Sequence, residues 1–183
     1  MKKLLFILIS ILLIGYACKR QKNIESTSIE IKTPLDNKNN KTDKNYFRSV
    51  GYGESYNLNN AIEIAKSQSR SDISRQVNVI IKDVIERYNN EIDNENGNMY
   101  QSLSRQISIS VLKNIKEKDK YLLQDKKTKK YKYWVVLEVN KNDVIHIYNN
   151  NIKNQNIKYN KEKFENIYND EINKSLNLKV NDQ

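Results

Sequence analysis

Several residue types that build stabilising or catalytic sites are nearly missing from this chain. Its 183 residues include one cysteine, one histidine and one proline. A single cysteine excludes an intrachain disulfide framework, and together with the lone His146 it cannot provide the Cys and His ligands of a zinc site. No acid and base pair stands out among the carboxylates, for example Glu54, Glu63, Asp72 and Asp83. We therefore expect no metal, no other cofactor and no enzyme active site.

Glycine is also scarce, with four residues in the chain, yet Gly51 and Gly53 stand close together in the stretch GYGES. Such a pair can belong to a phosphate-binding loop. Here Tyr56 occupies the place of the third glycine, and no Gly-Lys-Ser/Thr sequence follows. The pair therefore predicts a kinked strand end that leads into a helix, and we expect no bound nucleotide.

One uncharged apolar run stands at the start of the chain, at residues 4–14, and Lys2 and Lys3 precede it. This order is the layout of a signal peptide. As a helix, the run would rise about 16 Å, against a hydrocarbon core of roughly 30 Å. It therefore predicts a signal peptide over residues 1–17 rather than a transmembrane helix.

The single cysteine follows directly behind that run. Cys18 comes after Ala17, a small residue of the kind required by a signal peptidase that cuts before a lipid-modified cysteine. The stretch resembles a bacterial lipobox, with Gly15 and Tyr16 where the usual box has leucine and a small residue. We expect cleavage between Ala17 and Cys18 and acylation of Cys18. An ordinary signal peptide cut after Ala17 and an uncleaved anchor are the alternatives.

Residues 18–45 are polar and charged, and they include the only proline of the chain. They lack the apolar surface that would offset the loss of chain entropy on folding. We expect a disordered tether with a root-mean-square reach of about 30 Å, as flexible-chain scaling gives.

Residues 46–150 carry the patterns of a folded α+β domain. Phe47, Val50 and Tyr52 predict a short extended run. Apolar and small side chains then recur at steps of three and four residues, which predicts a helix. The face of that helix consists of Leu58, Ala61, Ile62, Ala65, Ser69 and Ile73.

The next two segments are less clear. Val77, Val79 and Ile81 stand at every second position and are β-branched, which is typical of a strand. Both a helical and an alternating pattern fit residues 99–111, and we favour the helix slightly.

A hairpin is the clearest prediction. The stretches LKNIKEKDKYLLQ and YKYWVVLEV flank a connection at residues 125–130. In the second strand, one face would consist of Tyr133, Val135, Leu137 and Val139, and the other of Trp134 and Val136. A helix with Val144, Ile145 and Tyr148 would follow.

The hairpin connection is also the strongest charge feature of the domain, with Lys126, Lys127, Lys129, Lys130 and Lys132 near one turn. Five ammonium groups could contact anionic lipid headgroups or an acidic glycan. The favoured alternative is a solvated loop that keeps a strand edge from pairing with other chains.

Residues 151–183 predict a polar linker and an amphipathic helical tail. The apolar residues of the tail are Phe164, Ile167, Tyr168, Ile172 and Leu176, at helical spacing. This tail would dock back on the domain or meet a partner.

The order of these features resembles the bacterial family of twenty-kilodalton membrane-associated lipoproteins. The resemblance covers residues 47–148 and is carried by GYGES, by the helix NAIEIAKSQSRSDISRQVNV and by the terminal strand YWVVLEV. It implies one small α+β domain, with a mostly antiparallel sheet packed against one main helix. Some members are similar to flagellar accessory lipoproteins that assemble around the motor at the outer membrane.

The leading hypothesis is a lipid-anchored envelope lipoprotein with a non-enzymatic structural or protein-interaction role. Its expected partners are the membrane, through the acyl chains on Cys18, and envelope proteins or further copies of the chain. Lys19, rather than Asp, after the cysteine favours the outer membrane and a periplasm-facing location, with surface display as the alternative. The net charge of +10 would suggest nucleic acid in a cytoplasmic protein, but export argues against that partner. The alternative function is a binding module for anionic lipid or envelope polysaccharide.

Overall fold

The computed structural model describes residues 33–92, 106–107, 109–154 and 160–181. Residues 1–32, which include the predicted signal peptide, Ala17 and Cys18, lie outside this part. The strands of the described chain are β1 (Tyr46–Ser55), β2 (Lys116–Gln124) and β3 (Tyr131–Asn140). The long helices are α1 (Leu58–Ile92), α2 (Lys141–Asn154) and α3 (Lys161–Asn181). The fold is α+β, as predicted. Within the described ranges, none of the helices combines the length and the apolar character needed to cross a bilayer.

The sheet is antiparallel, with the strand order β1-β3-β2. The predicted hairpin is confirmed, because β2 and β3 pair and the connection 125–130 joins them. At the turn, the Asp125 N–H donates to the Lys130 carbonyl at 2.9 Å. Lys129 adopts a positive φ of 60° to close the turn.

Strand β3 lies in the centre of the sheet and is buried on both faces near its middle. The face toward α1 consists of Tyr133, Val135, Leu137 and Val139, all at most 5% exposed. On the other face, Val136 is fully buried and Trp134 is half-buried. The predicted alternation of the two faces is therefore confirmed.

Helix α1 lies directly on the backbone of β1 because two glycines leave room for it. A Cβ atom added at Gly51 would lie 1.9 Å from the Ala65 carbonyl oxygen, and one added at Gly53 would lie 2.0 Å from the Ala61 oxygen. One turn further on, the Ser69 hydroxyl donates to the Ser49 carbonyl at 2.9 Å. The glycines thus permit a close approach of helix and strand, which side chains would prevent.

The predicted strand around Val77 is wrong, because α1 continues through it to Ile92. Val77 and Ile81 are buried one helical turn apart, whereas Val79 between them is 53% exposed. An alternating strand would bury all three on one face. The local cluster of β-branched residues imitates a strand, and packing along a helical stripe overrides that preference.

The segment before β2 supports the favoured helical interpretation of residues 99–111 where it is described. Residues 106–107 and 109–112 are helical, and residues 99–105 and 108 lie outside the described chain. Ile107 and Val111 are fully buried at a spacing of four, while Ile109 is 57% exposed.

The predicted boundary at residue 150 is wrong, because both C-terminal helices belong to the core. Ile152 is fully buried one turn after Tyr148, so α2 extends into the predicted linker. The Phe164 ring stacks on Tyr148, with 4.1 Å between centroids, and meets Tyr88 of α1 edge-on at 5.4 Å. The apolar residues predicted for the tail therefore cover the C-terminal half of α1.

Polar contacts hold α3 in the same place. Arg87 of α1 pairs with Asp170 at 3.3 Å and with the buried carboxylate of Glu171 at 3.4 Å. The Tyr168 hydroxyl donates to the Lys141 carbonyl at the start of α2, at 2.9 Å. Burial raises the pKa of Tyr168, so the hydroxyl keeps its proton and remains a donor.

The ordered chain also begins before β1. Residues 33–45, predicted as the end of a disordered tether, form turns and a short 3-10 helix, Lys38–Asn40. The Arg48 N–H donates to the Thr42 hydroxyl at 2.9 Å, and Asn40 is buried. The prediction of disorder is wrong for this segment, since its polar side chains bond to the backbone of β1 and to neighbouring turns.

Replacing Gly51 with alanine should destabilise the domain by at least about 1–3 kcal/mol, the usual range for overpacking, because the new methyl group collides with a helix carbonyl. Urea unfolding of the variant measures this change. Glu54→Ala introduces alanine on the other face of the same strand and should cost clearly less than Gly51→Ala, because surface ion pairs contribute little. Equal stability of Gly51→Ala and wild type would contradict the described packing.

Replacing Phe164 with alanine should cost about 3–5 kcal/mol, as for other fully buried aromatic residues. Thermal and urea unfolding measure the loss. The control is Tyr56→Ala, since Tyr56 is 71% exposed and its removal should change stability by about 0.5 kcal/mol or less. A small effect at Phe164 would mean that α3 does not dock on the core.

Candidate functional site: an aromatic and lysine face

Three aromatic side chains form a row across the sheet, on the face turned away from α1. Tyr52 of β1 lies opposite Trp134 of β3, and Tyr121 of β2 lies opposite the same tryptophan. The ring centroids are 4.9 Å apart for Tyr52 and Trp134, and 5.8 Å apart for Tyr121 and Trp134. Cross-strand aromatic pairs stabilise a sheet by roughly 0.2–1 kcal/mol each.

The row is open to solvent although its members are large. Tyr52 is 37% exposed and Tyr121 is 45% exposed. Leu123, one step closer to the hairpin turn on the same face, is 44% exposed. Most other large apolar side chains of the described chain are buried, so this concentration marks the face as a candidate interaction surface.

Next to the aromatic row, a glutamate lies between a tyrosine and a lysine. The Tyr52 hydroxyl donates to the Glu54 carboxylate at 2.6 Å, and Lys130 pairs with Glu54 at 3.2 Å. The Tyr52 hydroxyl and then Lys130 hold the pKa of Glu54 below its usual range. Burial, followed by the hydrogen bond to Glu54, raises the pKa of Tyr52 to about 12. The carboxylate is thus ionised, and its negative charge is offset by the paired Lys130.

The structure divides the five lysines predicted as an anionic-surface contact. Lys130 pairs with Glu54, and Lys132 pairs with Asp125 at 3.5 Å. Among the described residues, no carboxylate pairs with the three others, which are exposed around the turn: Lys126, Lys127 and Lys129.

Asp125 is committed to the turn itself. Its carboxylate accepts the backbone N–H groups of Lys127 and Thr128, each at 2.9 Å. The Thr128 N–H and then the Lys127 N–H lower the pKa of Asp125. This carboxylate holds the turn that presents Lys126, Lys127 and Lys129. We call the following set the aromatic–lysine face: Tyr52, Tyr121, Leu123, Trp134, Lys126, Lys127 and Lys129.

The aromatic half of this face was not predicted from the sequence. The lysines are close in the chain and were visible as a cluster. Tyr52 and Trp134 are 82 positions apart, and only the register of β1 on β3 brings them together. The available signal was that Tyr52 and Trp134 each alternate along their strand with residues that face the helix, which places both on the outer face.

The remaining sequence candidates do not assemble into a site. His146 is exposed on α2. Asp72 pairs with Arg75 at 3.1 Å on the surface of α1. Burial, followed by the nearby Glu171 charge, raises the pKa of Asp83. Over the ranges that the structure describes, no group of three His, Cys, Asp or Glu side chains is placed to hold a metal ion.

Comparisons with known proteins returned no match: no family model, no curated protein and no solved structure is similar to the chain. The resemblance to the lipoprotein family therefore stays a prediction.

Replacing Tyr52 with phenylalanine should raise the pKa of Glu54 toward its usual value, because the largest stabilising contact of the carboxylate is lost. The carboxyl titration of Glu54 by NMR measures this shift. Since the folded-state pKa is lowered, the contact stabilises the fold above the ordinary glutamate pKa and is lost as the pH falls through the folded value. Tyr121→Phe, which removes a hydroxyl from the same row, should leave the Glu54 titration unchanged.

Proposed function

We propose that this protein is a lipid-anchored lipoprotein of the bacterial cell envelope, with a non-enzymatic structural or protein-interaction role. The observation that carries the proposal is the position of Cys18, directly after Ala17 and behind a short apolar run with lysines in front. A cysteine placed there becomes the first residue of the mature chain once the signal peptide is removed.

Acylation of that residue explains how the chain would remain at a membrane. Two acyl chains give stable anchoring, whereas a single chain gives only marginal binding. The thiol would be used by its lipid, and no other cysteine exists for a disulfide or a catalytic thiolate.

The folded domain supports an interaction role through its surface. Its aromatic–lysine face exposes aromatic rings and the Leu123 side chain next to three exposed lysines. Exposed apolar surface of this kind marks contact sites for other molecules. With Lys19 behind the cysteine, we place the protein at the outer membrane, facing the periplasm. Surface display is the alternative location, and envelope proteins or further copies of the chain are the proposed partners.

Mass analysis of the N-terminal peptide, from protein purified out of native membranes, tests the anchor. We expect a mature chain that begins at Cys18 and carries a diacylglycerol thioether. An N-terminal peptide that retains Lys2 and Lys3, or an unmodified Cys18, would contradict the proposal.

Cys18→Ala should move the protein from the detergent phase to the aqueous phase in phase-separation fractionation, since the attachment site is lost. Ser26→Ala, a substitution of similar size in the same segment, should partition as wild type does. A Cys18→Ala protein that stayed with the membrane would require another means of attachment.

A further inference from the structure

We propose that the aromatic–lysine face docks on the surface of an anionic lipid bilayer. This inference rests on the proposed function, because the anchor on Cys18 would hold the domain beside a membrane and so raise the local concentration of headgroups. It adds a second, reversible membrane contact, made by the folded domain itself.

The apolar half of the face has the composition of membrane-interface contacts. Tyrosine and tryptophan place a ring in the acyl boundary and a polar group among the headgroups. Leu123, in the adjoining row, adds an aliphatic side chain that is 44% exposed. Tyr52 and Tyr121 are tilted against Trp134 by 40° and 56°, so the rings form no flat platform for stacking a sugar. The observations therefore favour lipid over polysaccharide.

The charges of the face match an anionic surface at the hairpin end. Lys126, Lys127 and Lys129 are exposed, while Glu54 and Asp125 are already paired with Lys130 and Lys132. The hairpin end therefore carries an excess of positive charge beside the aromatic row. Each lysine close to an anionic membrane increases binding by about fivefold.

The opposite end of the same sheet face carries lysines as well as carboxylates, and its arginine is paired. There Arg48 pairs with Glu138 at 2.7 Å and also with Asp43. The guanidinium is thus enclosed by carboxylates, and Val136 between this cluster and the aromatic row is fully buried. The exposed aromatic row therefore adjoins the hairpin lysines and is separated from the Arg48 cluster, so docking would occur through the hairpin end.

Trp134 is the only tryptophan of the chain, so its fluorescence reports on this face alone. The test uses the full-length, membrane-purified protein reconstituted into vesicles that contain brominated phosphatidylcholine, with or without phosphatidylglycerol. We expect bromine quenching and a blue shift of Trp134 in the anionic vesicles, and less of both in neutral vesicles or at high salt.

The triple change Lys126→Gln, Lys127→Gln and Lys129→Gln should reduce the ratio of docked to undocked protein by about 100-fold, from about fivefold per lysine. The matched control has the same charge change at exposed lysines outside the hairpin: Lys44, Lys113 and Lys153, each replaced with glutamine. It should retain the quenching of wild type.

The possible failures are distinguishable. Protein that floats with both kinds of vesicle, but shows equal Trp134 quenching in each, overturns the docking and leaves the anchor intact. Protein that does not float with neutral vesicles contradicts the proposed function, and its quenching in anionic vesicles then still decides the docking. A Trp134 shift with soluble dextran sulfate but none with anionic vesicles would assign the face to an acidic polysaccharide and overturn the proposal.

Discussion

The close contact of α1 with β1 determines where every other element can lie. Gly51 and Gly53 have no side chain toward the helix. The carbonyl oxygens of Ala65 and Ala61 therefore lie where the Cβ atom of any other residue would be. A helix this close to one strand covers β1 and β3 and leaves β2 overhanging, with all nine of its residues exposed. The outer face of the sheet, with its aromatic row, is left on the side that the helix does not use.

The same contact covers the β1 edge of the sheet but does not reach the β2 edge. On β1, the Tyr52 N–H donates to the Gln68 side chain at 3.0 Å, and the Arg48 carbonyl accepts from Gln76 at 3.0 Å. Helix α1 thus satisfies outward-pointing backbone groups that would otherwise attract another strand. On β2, lysines and a register shift between Glu117 and Asp119 take over that protection. The helix therefore protects the β1 edge from pairing with other chains, and the charges and the register shift protect the β2 edge.

What could be predicted from the sequence depended on the distance between the interacting residues. The start of α1 and the hairpin were predictable, because steps of three to four residues and a short connection are local signals. The strand around Val77 was wrong, since its β-branched residues lie on a helix whose partners come from the far end of the chain. Phe164 was identified as apolar, but its place between Tyr88 and Tyr148 depends on the tertiary fold. The aromatic row depends on the pairing of β1 with β3, for which neither segment carries a local signal.

Helix α1 has 35 residues and is therefore about 52 Å long. Its first half supports the sheet through Ala61 and Ala65, and its last turns support α3 through Arg87 and Tyr88. One continuous helix thus borders the whole hydrophobic core, from the sheet to the C-terminal helices. Fraying of the helix in one half removes the support on which the neighbouring half packs, so the two ends of the core gain and lose their order together. The long helix makes the domain a single cooperative unit, although its sheet and its C-terminal helices lie at different ends of it.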